Sequence, residues 1–396
     1  MKLRSRLLVG GVAVAALGAV LGAPPAFAAA APVALAASQF TLAANYHQYD
    51  ALNTALVAKL GTAAVHTVMD NANHDRTGIT DSLGIAGYQT GFRFDDGDNS
   101  DCANYPQGIT TSRDAVGTAG GGNYDGHQLV LVSWYTKDGC DGAQSRSRIT
   151  LVDWDATYPN TYRKILLVEP TGTEAAPSFK DVKVHAGGVV WYGDYLYVAD
   201  TARGMRVFDM RKILKTNTGG TADQIGAVGG TWYAHNYAYV LPQIGTLTAA
   251  TTSSAALAWS TISLDRVSKS IVMTEYTCSS GCADYPNRAP RAVRFPFAPG
   301  ATTFAAATTA SQALQLPWYK LNGVASHNGR WWFNSSGSKQ LYYWTPADGP
   351  HTHAWVGGGE SISYWEDDAN PDLLWSLQET VGHRNVFAVT QSTYGA

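Results

Sequence analysis

The stretch Val184–Met210, VHAGGVVWYGDYLYVADTARGMRVFDM, constrains the fold more than any other part of the chain. Its apolar runs Gly188–Trp191, Tyr195–Ala199 and Met205–Phe208 are rich in Val, Tyr, Trp and Phe. The polar clusters Gly193–Asp194 and Asp200–Gly204 separate them. Runs of this kind bounded by Gly and Asp read as strands and turns. Turns this short join antiparallel neighbours, so the segment predicts a meandering sheet.

The same pattern recurs. Gln107-Gly-Ile-Thr leads to His127–Tyr135 and Ser147–Trp154; Leu321-Asn-Gly-Val-Ala leads to Arg330–Asn334 and Gln340–Trp344; Gly359-Glu-Ser-Ile-Ser leads to Leu373–Leu377 and Asn385–Val389. Each opener sets a polar residue beside a small one and continues into an apolar strand. Radially repeated sheets need this, because the innermost strand of each blade is crowded at the axis. The expectation is an all-β chain forming a β-propeller of five blades, with six or seven as alternatives because Thr221–Phe297 is long enough for two. The spacing is irregular, and no WD40 or kelch signature is present.

Met1–Ala28 carries Lys2, Arg4 and Arg6, then the apolar run Leu7–Leu21, then Ala26-Phe-Ala28. A basic end, a short apolar middle and small residues at the cut predict a secretory signal peptide and an extracellular product. Removing those three charges from 28 Lys and Arg leaves 25 against 31 Asp and Glu, a formal charge of −6. Such a surface gives no reason to bind nucleic acid or a membrane, and a monomer is expected. Residues 29–81 read as an Ala-rich segment, disordered at Ala29–Ser38, followed by a helix over Gln48–Leu60 that Gly61 stops. The propeller domain is expected over 82–396.

Four cysteines in an exported chain predict disulfides, with Cys102–Cys140 and Cys278–Cys282 favoured among three pairings. No metal site is expected from them. The acidic run Asp95–Asp101 has the oxygen density that Ca²⁺ wants, but its register fails the EF-hand pattern, and a plain acidic turn is the preferred reading. No cofactor is otherwise expected. The chain has no Gly-x-Ser-x-Gly, no His-Glu-x-x-His, no phosphate loop and no dinucleotide fingerprint, which puts serine esterases, common zinc proteases, kinases and nicotinamide enzymes out of the front rank.

Glycan chemistry stays in, since it needs only side chains contributed by different blades. In a propeller the openers Gln107, His185, Asn322 and Glu360 face one axial funnel, with Tyr239 or Gln243 as the counterpart in the divergent stretch Tyr237–Leu247. A lyase would use His185 to remove the proton α to a uronate carboxylate, Arg203 to neutralise that carboxylate, and a tyrosine such as Tyr239 to protonate the leaving oxygen. A hydrolase would pair Glu360 with Asp200, Glu275 or Glu379. Gln107, Asn322, Gln243 and Trp232 are the expected substrate contacts, since aromatic faces such as Trp232 stack on sugar rings. Gly187-Gly188 is expected to open space beside the His185 ring.

HAGGVVWYGDYLYVADT, ASHNGRWWFNSS and LLWSLQE resemble secreted actinobacterial β-propeller proteins of unassigned role, over Ser82 to the end of the chain. A weaker resemblance, by blade position of His185 alone, is to propeller-fold polysaccharide lyases, which implies an axial His working with Tyr and Arg. The functional expectation is therefore a secreted carbohydrate-active protein acting on an extracellular polysaccharide, lyase ahead of glycoside hydrolase. The alternative is a non-catalytic glycan- or protein-binding propeller.

Overall fold

The computed structural model describes residues 30–154, 161–252 and 255–395. The expected leader, 1–28, lies outside them. Five antiparallel meanders follow one another along the chain. Their first strands are Asn104–Thr111, Val189–Tyr192, Trp259–Asp265, Leu321–His327 and Gly359–Trp365. These five strands pack side by side in chain order and the last returns to the first, so the molecule is a five-bladed β-propeller.

The first blade continues outward through Leu129–Lys137, Gln144–Asp153 and Tyr162–Gly172; the fourth runs through Arg330–Ser335, Gln340–Thr345 and Gly349–Ala354. The ring is closed in the fifth blade, where Leu373–Gln378 and Asn385–Thr390 are followed by Tyr88–Arg93 from the other end of the chain. The region before the first blade also supplies outer strands elsewhere. Phe40–Asn45 pairs with Tyr239–Thr251 in the second blade, and Val33–Leu35 pairs with Gln312–Gln315 in the third. Ala29–Ser38, expected to be disordered, is thus ordered over its described part because its backbone completes a sheet edge. The helix Asp50–Leu60 forms as expected and ends at Gly61, whose φ of 67° is the left-handed stop that glycine permits.

The long stretch Thr221–Phe297 is not two blades. Ile225–Val228 and Thr231–Ala234 form a separate hairpin, Tyr239–Thr251 completes the second blade, and the third begins at Trp259. Tyr239–Thr251 reads as an opener because it is apolar and follows a turn. Its first half pairs parallel with Tyr162–Gly172 and its second half antiparallel with Gly204–Asp209, which ties the outer edges of two blades together.

Between the blades, aromatic and branched side chains fill the wedge; Trp134, Trp191, Trp259, Trp331, Trp332 and Trp375 are among the largest fully buried side chains. Most of the tryptophans therefore build the core. Both expected disulfides, Cys102–Cys140 and Cys278–Cys282, are present. Bonds of this kind persist in oxidising compartments. Among the described residues no helix is long and apolar enough to cross a membrane.

Candidate functional site

Four of the five inner strands carry a register break at the same place, near their start: between Pro106 and Gly108, Trp259 and Thr261, Leu321 and Gly323, and Glu360 and Ile362. The residues left out of the pairing are Gln107, Ser260, Asn322 and Ser361. An unpaired extra residue bends its strand and re-aims side chains, and repeated around the axis it turns a set of polar groups toward one mouth. Ser361, with φ of 23°, shows how tightly the fifth strand is bent there.

The mouth is a cavity of about 450 Å³. Gln107, His185, Asn322 and Glu360 line it, so the structure brings together four of the expected residues. Tyr135, Ser260, Tyr276, Tyr285 and Glu379 are the lining groups that complete its chemistry. Ser260 fills the third-blade position for which Tyr239 or Gln243 was expected; its strand, Trp-Ser-Thr-Ile-Ser, lacks the glycine by which the other openers were recognised.

Glu360 is 2% exposed and accepts from Asn322 Nδ2, which lies 2.9 Å from each carboxylate oxygen. Burial raises its proton affinity well above the usual carboxylate range, the charge of Glu379 raises it further, and the Asn322 amide only partly offsets this. Glu379, just past the strand Leu373–Gln378, is also raised by burial, against the Gln107 hydrogen bond and the charges of Arg384 and Lys137. Two carboxyls that repel each other on one cavity wall hold a proton between them into the range where ordinary carboxyls are ionised.

His185 sits four residues before its strand rather than at its start. Its ring stacks on Tyr135 with centroids 4.6 Å apart. Burial, and then Lys137, lower its pKa to about 4, so it is a neutral imidazole at physiological pH. Gly187 and Gly188 do not serve to open space beside it. A Cβ on Gly187 would collide with the Ser260 carbonyl, and one on Gly188 with the Ile262 amide. The pair exists to let the chain pass against the third blade's inner strand.

The other expected site residues lie elsewhere. Tyr239 is buried in the core with the Arg163 guanidinium over its ring. Gln243 is buried and accepts from Arg206 at 2.8 Å. Trp232 donates its indole N–H to the Pro177 carbonyl. Arg203, exposed in the turn after Asp200, lines a separate small crevice. Of the other carboxylates weighed as partners for Glu360, Asp200 is held by Arg206 at 3.0 Å and Glu275 is buried between Arg288 and Arg291. Glu379 alone among the three reaches the cavity.

The acidic run folds into one helical turn, Asp96–Ser100, capped by the Asp95 side chain. His74, Asp95 and Asp98 bring ligand atoms within 4.8 Å of one another. Asp98 is already matched by Lys164 at 2.7 Å and Arg148 at 3.0 Å; burial alone would raise its pKa, but these cations hold it at about 2.

No protein-family model matches the chain, and no curated protein matches it in sequence. Among solved structures it is similar to the β-propeller domain of Cps50 (Swd1) from Myceliophteria thermophila, at 9% identity and TM-score 0.35 over 78% of this chain and 100% of that one. It is similar also to the PQQ-bound aldose sugar dehydrogenase of Streptomyces coelicolor, at 11% and 0.31 over 80% and 98%. A third is a GH43_1 enzyme from Xanthomonas citri, at 9% and 0.32 over 86% and 92%. Likeness at this level says nothing of chemistry, and the fold stands on the strand pairing above.

Proposed function

We propose that the protein is a secreted, monomeric carbohydrate-active propeller that hydrolyses glycosidic bonds of an extracellular polysaccharide in its axial cavity. The observation that carries the reading is that the buried Glu360 and the half-buried Glu379 line one cavity, each with raised proton affinity. Glu360, the more deeply buried, holds the proton and delivers it to the glycosidic oxygen as the C–O bond breaks. Glu379 supplies the second carboxylate, which either takes a proton from the attacking water or bonds to the sugar carbon. Export is supported by the leader pattern of Met1–Ala28 and by the two disulfides.

This order reverses the lyase-first expectation. A lyase must neutralise the uronate carboxylate, and no Arg or Lys is among the described residues lining the cavity. An imidazole with a pKa of about 4 is also a weak base for removing a carbon-bound proton. A second reading, non-catalytic glycan binding, is favoured by the amide caps on both carboxyls, since Asn322 and Gln107 satisfy them without a substrate.

The deciding experiment exposes the full secreted chain to panels of aryl glycosides and polysaccharides, with reducing ends as one readout and the ultraviolet absorbance of unsaturated ends as the other. New reducing ends without unsaturation, lost in Glu360→Gln and Glu379→Gln, support hydrolysis. Unsaturated ends from uronate polymers would restore the lyase, and retention on glycan columns without turnover would establish the binding reading.

A further inference from the structure

The cavity lining offers a ligand no cationic side chain among the described residues, and its amides are already engaged. Both hydrogens of the Gln107 amide are spent within the protein, on the Pro106 carbonyl at 3.0 Å and on Glu379 at 2.6 Å. The Asn322 amide is spent on the two oxygens of Glu360. Ser336 donates to Asn322 Oδ1 at 2.5 Å and Ser260 to the Leu321 carbonyl at 3.0 Å. What remains on the lining is carboxylate lone pairs, the faces and hydroxyls of Tyr135, Tyr276 and Tyr285, the Thr201 hydroxyl, the His185 imidazole and the indole N–H of Trp259, with no Lys or Arg side chain among the described lining residues. A third carboxylate, Asp284, lies on the same lining and is exposed at the rim.

Beside it, Tyr276 and Tyr285 meet at 4.5 Å with their planes 53° apart, forming an open aromatic corner. The nearest cations do not fill this acceptor surface. Lys137 and Arg384 both sit over the face of Tyr105, at 4.9 and 5.4 Å, and neither is among the described residues lining the cavity. Carboxylates and tyrosine faces on a lining that holds no Lys or Arg side chain among the described residues are surroundings that favour an ammonium group.

Resting on the glycan reading above, we propose that the sugar taken by this cavity carries a protonated primary amine: the substrate class is an amino sugar, its ammonium seated between Glu360, Glu379 and Asp284 and against the corner of Tyr276 and Tyr285. A primary ammonium presents three N–H donors, which is what three acceptor groups require. A quaternary ammonium has none, and an N-acetylated amine has one and no charge. A uronate would bring a further negative charge into the same space.

The test is calorimetric titration of the full secreted chain with four probes: a β-1,4-linked glucosamine tetramer, its N-acetylated counterpart, cellotetraose and spermidine. The glucosamine tetramer should bind at least about tenfold more tightly than the acetylated and neutral tetramers, the size expected of one desolvated charge-assisted contact. Asp284→Asn and Tyr285→Ala, both at exposed positions and so compatible with folding, should each weaken binding of the glucosamine tetramer several-fold more than they weaken binding of cellotetraose. Equal or tighter binding of the acetylated or neutral tetramer overturns the inference, and equal binding of spermidine overturns its sugar half. Glucosamine oligomers bound but never cleaved would sink the hydrolase reading and keep this one. Neutral glycans cleaved while glucosamine oligomers stay unbound would do the reverse.

Discussion

Gln107 Nε2 lies 2.6 Å from Glu379 Oε2, a hydrogen bond that joins the inner strand of the first blade to the end of the second strand of the fifth. Ring closure and candidate chemistry therefore share one contact. The seam where the two ends of the propeller meet is also the wall that holds the second carboxyl.

The two carboxyls should titrate as a pair. Both are raised, so hydrolysis that needs one protonated and one ionised should peak at a pH above the ordinary carboxylate range and fall as pH rises through the Glu360 titration. Glu360→Gln should lower kcat at least about a hundredfold. Glu379→Gln removes the repelling charge, so the Glu360 titration, followed by carbon-13 NMR of the labelled carboxyl, should move to lower pH. A shift upward would show that the two do not face one another.

His185 should oppose acid stability. Its pKa is about 4 in the fold against 6.5 in the unfolded chain, so the folded state binds fewer protons. Stability is full above about pH 6.5 and is lost as pH falls toward 4, by up to about 3 kcal/mol. His185→Gln should flatten that slope in denaturant melts across the window. An unchanged slope would mean that the ring is solvated.

Asp114 should act in the opposite sense. It is buried, accepts from Thr110 at 2.7 Å and from Ser363 of the fifth blade at 2.6 Å, and burial raises its pKa to about 6. The fold binds more protons than the unfolded chain, so stability is lost as pH rises from about 4 to about 6 and stays lower above that. Asp114→Asn keeps the neutral form and should raise neutral-pH stability by up to about 3 kcal/mol, with no gain at pH 3. Equal gains at both pH values would point to packing instead.

Gly188→Ala should be among the most damaging single changes, because the added methyl meets backbone of the third blade that cannot move aside. A loss on the order of 3 kcal/mol or more is expected in chemical denaturation, where Gly78→Ala, with open space around it and no positive φ, should lose far less. Similar losses would show the blades to be loosely packed.

The two disulfides should differ in weight. Cys102–Cys140 closes 38 residues and Cys278–Cys282 closes 4. Chain entropy gives about 4 kcal/mol for the first and about 2 for the second. Paired Cys→Ser variants measured in denaturant test the order. The short bridge ends two residues before Asp284, so its loss should weaken ligand binding more than stability.

Local chemistry is what the sequence by itself determined. Period-two apolar runs between Gly and Asp turns are legible because side-chain alternation and turn propensity are properties of a few adjacent residues. The meanders, the Asp50–Leu60 helix and the polar openers Gln107, Asn322 and Glu360 could therefore be read directly. Tertiary structure decided everything that depends on which strand lies beside which. Glu379 gains its role only because ring closure carries it to Gln107, 272 residues away, and Ser260 gains its place from a bulge that no residue type announces. Tyr239, Gln243, Arg203 and Trp232 looked equivalent by composition, but they sit on outer strands, turns and a side hairpin. Register and radial position are set by backbone pairing across the whole chain, and the burial that shifts the carboxyls and the imidazole follows from that assembly.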